Sequence, residues 1–208
     1  MGRRTGQWLA LAAHVGALAP LAALAWMAWT NALGPVPIAA VTRLLGRYAL
    51  ALLLLSLVPT ALRIVTGVSA LTPFRRTLGL YSFLYASLHV LAFIGLDYRF
   101  QLGLVATVIG ESRRELVGGA AFLILALLAL TSVQGLMRRL GKDWRRLHRS
   151  VYLAGLLVVL HYLLNYKELR IGPLTAGAVL LLLLAIRFPP FARLLKRVRR
   201  REDNVTED

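Results

Sequence analysis

Residues 78–96 read LGLYSFLYASLHVLAFIGL, and residues 150–166 read SVYLAGLLVVLHYLLNY. Neither stretch contains Asp, Glu, Lys or Arg, yet each holds one histidine deep inside it, His89 and His161. An apolar run of about 20 residues is what a helix needs to cross a bilayer core of roughly 30 Å. An ionisable side chain in hydrocarbon is costly, so a histidine there marks a functional site with a partner. Neutral imidazole is also the commonest metal ligand. A pair of imidazoles on two helices makes the axial set of a b-type haem.

Outward from these two segments, the same reading finds six membrane spans, at about 8–29, 46–64, 78–96, 117–136, 150–166 and 172–188. The fifth is short, and the second carries Pro59. The fold expected is a single all-α integral membrane domain over residues 1–208, a six-transmembrane helix bundle. Lipid offers unpaired backbone groups no partner, so the spans must be helical. The N-terminal Arg3-Arg4 pair and the small residues near 17–25 give the first segment the look of a secretory leader. Its apolar run is too long for one and more membrane sequence follows, so a retained first helix is expected. No internal repeat or low-complexity tract stands out.

Of 208 residues, 58% are hydrophobic, and there is no cysteine. That excludes disulfides, thiolate ligands and cysteine-held iron–sulfur clusters. The net charge of +16 suggests nucleic acid, but its distribution argues for membrane orientation instead. With six spans, 18 of the 25 Lys and Arg residues collect on one side: Arg3, Arg4, Arg63, Arg75, Arg76, the 138–149 cluster and the tail from Arg187 to Arg201. The other side holds Arg43, Arg47, Arg99, Arg113, Arg114, Lys167 and Arg170. By the positive-inside rule both termini are cytoplasmic. The basic tail, 189–208, reads as a stop anchor that touches anionic lipid, with docking of a soluble partner as the alternative.

This topology makes the third and fifth spans parallel. His89 and His161 each lie 11 residues past the start of their span, about 17 Å deep at 1.5 Å per residue. Both therefore fall in the outer half of the membrane, level with each other. A second level lies nearer the cytoplasm, where His148 precedes His161 by 13 residues and Arg75 precedes His89 by 14. Both steps are about 20 Å along a helix. Fourteen residues return to nearly the same helix face, whereas 13 leave the side chain roughly 140° away. Arg75, always protonated, is a poor iron ligand but suits a haem propionate or flavin phosphate.

Each residue also has a plainer reading. His89 or His161 alone reads equally as a polar residue bonded to a neighbouring helix. His148 sits in the basic boundary segment Trp144–Arg149, as an interfacial residue would. His14 reads as structural, and Tyr81, Tyr85, Tyr152, Tyr162 and Trp144 as an aromatic belt or bundle packing. Asp97, Glu111, Glu115 and Glu168 read as solvated residues of outer loops. No paired carboxylates lie within the spans, which weakens a proton-pump reading. No Walker, dinucleotide-binding or zinc-protease motif is present.

The segment Thr72-Pro73-Phe74-Arg75-Arg76-Thr77-Leu78-Gly79-Leu80 followed by His89 resembles the third-helix start of the MsrQ (YedZ) proteins. Trp144-Arg145-Arg146-Leu147-His148-Arg149-Ser150-Val151-Tyr152 followed by His161-Tyr162 resembles their fifth. The resemblance extends over nearly the whole chain. It implies the haem-binding membrane subunit of a bacterial periplasmic methionine sulfoxide reductase system, related to ferric reductases and NADPH oxidases. From it follow a haem b and an FMN as cofactors and a location in the bacterial inner membrane. Electrons would come from the quinone pool or a cytosolic flavin reductase and pass to a periplasmic molybdopterin catalytic subunit in a heterodimer. His89 and His161 would ligate the outer haem, and His148 would serve an inner haem or flavin level, with Arg75 as anion partner. Arg75 stands where the wider relatives carry a fourth histidine. The alternatives are a stand-alone ferric reductase-like cytochrome, a haem-free transporter or proton channel, and a structural anchor.

Overall fold

The computed structural model describes residues 3–166, 170–191 and 193. The rest of the basic tail, and Lys167 and Glu168, lie outside the described residues. Those described form α1 (Arg3–Trp29), α2 (Pro37–Thr66), α3 (Phe74–Ala92), α4 (Leu102–Glu111), α5 (Arg113–Leu130), α6 (Gln134–Leu147), α7 (Val151–Leu164) and α8 (Ile171–Arg187). No strand occurs among them.

Local chemistry sets the helix ends. Pro37 opens α2, where its missing N–H costs nothing. Gly67 closes that helix in the left-handed region at φ 79°, its N–H returning to Arg63 O. Ser112 caps α5 by accepting from the Glu115 N–H. Directly after the turn that carries His89, α3 widens into a π-helical turn over Phe93–Asp97. Such turns are frequent at functional sites.

The expected spans fall on α1, α2, α3 with its π turn, α5, α7 and α8, with shifted bounds. The second begins much earlier, α2 covering Pro37–Thr66 rather than 46–64, and the fourth shifts at both ends, α5 covering Arg113–Leu130 rather than 117–136. The Thr131 and Ser132 hydroxyls bond back to Leu127 and Leu128 carbonyls, and Trp144 Nε1 donates to Thr131 O at 2.9 Å, so the chain turns there. Two helices occupy segments read as loops, α4 and the strongly basic α6, which Gly141 kinks at φ 49°. Four stretches are long and apolar enough to cross a membrane: Gln7–Trp29, Pro37–Thr66, Phe74–Asp97 and Gln134–Leu164. Charged Arg113, Arg114 and Glu115 open α5, and α8 is a shorter apolar helix.

Leucines and tryptophans project outward, Leu123 being 69% exposed and Trp26 68%. A water-soluble monomer rarely shows such a continuous apolar surface; this is a membrane protein. Inside, two helix pairs pack together, α2 with α3 and α5 with α7, while α8 covers α2 and α7. Leu53, Tyr85, Leu125 and Ala154 form the shared core. In lipid, helix association depends on close approach and interhelical hydrogen bonds. Ser82 Oγ accordingly donates to Ala49 O at 2.8 Å, tying α3 to α2, and Tyr85 OH donates to Ala17 O at 2.8 Å, tying α3 to α1. Gly155 lets α7 sit against Leu180 of α8. His14 Nδ1 meets Tyr81 OH at 2.8 Å, a structural partner.

The bundle thus has two ends. At the proximal end α3 and α7 begin and α2 and α8 finish; at the distal end the directions reverse.

Candidate functional site

Towards the distal end, the ring centres of His89 on α3 and His161 on α7 lie 6.2 Å apart, with planes crossing at 76°. Each ring is tied at Nδ1 to a backbone carbonyl, His89 to Thr42 O at 2.8 Å and His161 to Arg114 O at 2.9 Å. A carbonyl only accepts, so Nδ1 carries the proton in both rings. That leaves each Nε2 lone pair for a ligand, with only a 3.5 Å approach of Asn165 Nδ2 to that of His161, the usual arrangement of a metal-binding histidine and its supporting group.

Glycines make these bonds possible. Gly46 stands one turn above the Thr42 carbonyl, and Gly118 one turn above that of Arg114. A Cβ on Gly46 would meet His89 Nδ1 at 3.1 Å, and one on Gly118 would meet His161 Nδ1 at 2.7 Å. With no side chain there, the imidazoles lie directly on the backbones of α2 and α5. Histidine and carbonyl are 47 residues apart in both cases. Thr42, Gly46 and His89 therefore recur as Arg114, Gly118 and His161, 72 residues on. The sequence shows no repeat because the side chain of the residue supplying the accepting carbonyl is immaterial. The glycine at a fixed distance before each histidine was the available signal.

The pair suits a particular kind of metal. Two imidazoles bonded through nitrogen to one ion, at about 2.0–2.1 Å each, hold their ring centres about 6 Å apart. No group of three or more His, Cys, Asp or Glu able to hold a metal occurs among the described residues. A bare ion would lack half its coordination shell here, whereas an iron bringing its own equatorial ligands needs only these two.

Two carboxylates read as solvated lie close to the pair instead. Glu115, only 8% exposed, forms an ion pair with Arg114. It is buried because it sits in the first turn of α5, where the helix dipole favours an anion. Arg114 Nη1 also donates to Asn165 Oδ1 at 3.4 Å, and Asn165 Nδ2 donates to His161 O at 2.8 Å. Asp97, though exposed, accepts from Thr42 Oγ1 at 3.3 Å. Each residue whose carbonyl holds a histidine is thus itself bonded to a carboxylate. Glu111 is exposed, as expected.

At the proximal end, His148 lies not in a continuous α-helix but in a 3-10 turn, His148–Ser150. Each 3-10 step adds about 20° to the α-helical rotation, reducing the angular mismatch expected from a 13-residue spacing. The His148 ring packs on Trp144 with centres 3.9 Å apart, and its Nε2 is buried without a partner. Arg75, half-buried, lies where α3 begins, at the same end of the bundle. The structure therefore brings the rings of His89 and His161 together and leaves His148 and Arg75 at the other end.

Residues 45–159 match the model of a family described as ferric reductase like transmembrane component. A protein of Xanthomonas campestris pv. campestris (strain B100) named protein-methionine-sulfoxide reductase heme-binding subunit MsrQ is 44% identical over 179 residues, 83% of this chain and 82% of its own length. A protein of the same name from Xanthomonas axonopodis pv. citri (strain 306) is 43% identical over 82% of this chain and 81% of its own. Another, from Rhodospirillum rubrum, is 45% identical over 77% and 78% respectively.

Proposed function

The chain is a member of the MsrQ family, within the ferric reductase-like transmembrane proteins, and on that premise we propose that it is a haem b electron conduit of the bacterial inner membrane. It would take electrons from the quinone pool or a cytosolic flavin reductase. It would deliver them to a periplasmic molybdopterin-dependent methionine sulfoxide reductase subunit, held in a heterodimer, for repair of oxidised periplasmic proteins. The observation that carries this reading is the His89–His161 pair, with centres 6.2 Å apart and both Nδ1 atoms bonded to carbonyls.

In this reading the bundle has six spans, α5 with 18 residues and α8 with 17 lying at the short end of the spanning range, which α7 with 14 reaches only together with the 3-10 turn before it. The basic excess at the proximal end makes that end, and both termini, cytoplasmic. His89 and His161 would then hold a haem in the periplasmic half, and that haem would supply a one-electron centre. Thr42 and Arg114 fix the tautomer and direction of the two rings through their carbonyls. The surrounding leucines exclude water, and the low dielectric strengthens the influence of the nearby Arg114–Glu115 pair on the site's potential. His148 and Arg75 serve an inner haem or FMN, Arg75 facing its acidic group. A cleft of ≈ 300 Å³ lined by Arg47, Leu54, Tyr162, Gly172 and Thr175 supports access for a quinone, since Tyr162 adjoins His161.

A reduced-minus-oxidised spectrum of the purified protein, with pyridine haemochrome quantitation, tests the assignment. A b-type α band should appear and be lost in both His89→Ala and His161→Ala. A colourless protein after expression with ample haem would overturn it.

A further inference from the structure

Among the described residues, four buried side-chain polar atoms have no hydrogen-bond partner: Thr72 Oγ1, His148 Nε2, and Arg187 Nε and Nη1. All lie at the proximal end. Thr72 is in the turn leading into α3, His148 in the turn leading into α7, and Arg187 in the last turn of α8. Buried polar groups are nearly always paired, so unpaired atoms gathered at one end point to an absent partner.

Arg187 is the centre of the group. Its Nη2 donates to Leu57 O, and its guanidinium carbon lies 5.6 Å from the centre of the Tyr152 ring. Those contacts fix the head group while leaving Nε and Nη1 free. Thr72 and Arg75 stand together where α3 begins, the Arg75 N–H donating to Thr72 O at 3.3 Å, at the same end of the bundle as Arg187. Among the described residues no carboxylate pairs with these cations: the two ion pairs there are Arg114–Glu115 and Arg146–Asp143. Guanidiniums gathered at one end of a bundle that limits water are stabilised by an anion beside them. Guanidinium is also the group best matched to carboxylate and phosphate oxygens.

We propose that Arg187 and Arg75, with the Thr72 hydroxyl, form an oxyanion site at the proximal end that takes the carboxylate or phosphate of a membrane-held molecule. This deepens the reading of Arg75 as an anion partner. It rests on that reading only for the cofactor as bearer of the acid; an anionic lipid phosphate is the other source.

The test uses the full-length protein in nanodiscs and matched probes that differ only in the acid. Haem is compared with haem dimethyl ester, FMN with riboflavin, and phosphatidylglycerol with phosphatidylcholine retained on the protein by native mass spectrometry. In at least one pair the acidic member should bind about tenfold better or more, the scale of one charge-assisted hydrogen bond. Arg187→Gln should abolish that preference while the α band of the His89–His161 pair persists. Arg75 makes no side-chain hydrogen bond among the described residues, so Arg75→Gln repeats the test should Arg187→Gln fail to fold. A preference confined to haem or FMN identifies the cofactor as bearer of the acid, and one confined to phosphatidylglycerol identifies lipid. Equal binding within every pair, or a preference unchanged in the arginine variants, overturns the site. Loss of the α band in the histidine variants reports on the conduit separately.

Discussion

Gly118 lies so close to the ring of His161 that a Cβ there would stand 2.7 Å from Nδ1 and 2.8 Å from Cε1. The ring cannot withdraw without breaking its 2.9 Å bond to Arg114 O. Gly118→Ala should therefore displace the imidazole and remove most of the bound haem. Gly46→Ala, where the nearest approach is 3.1 Å, should retain a larger share. Alanine favours a helix over glycine by about 0.8–1.0 kcal/mol, so the loss should come without a lower melting temperature of the haem-free protein. Haem-to-protein ratios and melting curves check both parts. Equal, undiminished haem in the two variants would show that the glycines do not seat the rings.

The bond from Ser82 Oγ to Ala49 O joins α3 to α2 within the core, and Ser82 is fully buried. Interhelical hydrogen bonds in membrane bundles average about 0.6 kcal/mol and reach about 1.7. Ser82→Ala should lower stability by about that amount, read by reversible unfolding in mixed micelles, with the α band unmoved. A shifted band would mean that this contact also sets the position of α3 at the histidine.

Glu115→Gln removes the charge opposite Arg114, whose side chain is 42% exposed while that of Glu115 is 7%. Breaking a fully buried pair costs about 3–5 kcal/mol, and exposed pairs are worth under about 1 kcal/mol. One partner is wet and one dry, so a loss of about 1–2 kcal/mol is expected. Because the Arg114 carbonyl holds His161, the redox potential should shift as well. A double-mutant cycle with Arg114→Gln separates the pair's coupling from the loss of either side chain. Additive effects on both stability and potential would rule out the coupling.

Much of the site was visible in the linear chain. His89 and His161 stand out because no Asp, Glu, Lys or Arg occurs in their runs, and equal distances from the span starts already place them level. Glu115 was misread because the boundary at 117 left it in a loop. The Ser112 cap begins α5 earlier and draws the carboxylate inward. The helix α6 was missed because its basic residues obscure any apolar run, and its turn depends on Trp144 reaching back to Thr131. Arg187 looked like the first residue of a basic tail; only the packing of α8 against α2 and α7 makes it a half-buried group beside Leu57 and Tyr152.

The sequence by itself determined the helical membrane class, the family and the two histidines, because hydrocarbon imposes simple rules on length, polarity and backbone pairing that are written residue by residue. Only the tertiary structure decided what each histidine leans on. The carbonyls of Thr42 and Arg114 have no signature of their own, since every residue carries one. Which carbonyl meets which ring depends on how closely two helices approach, and that distance is set by the absence of a side chain at Gly46 and Gly118.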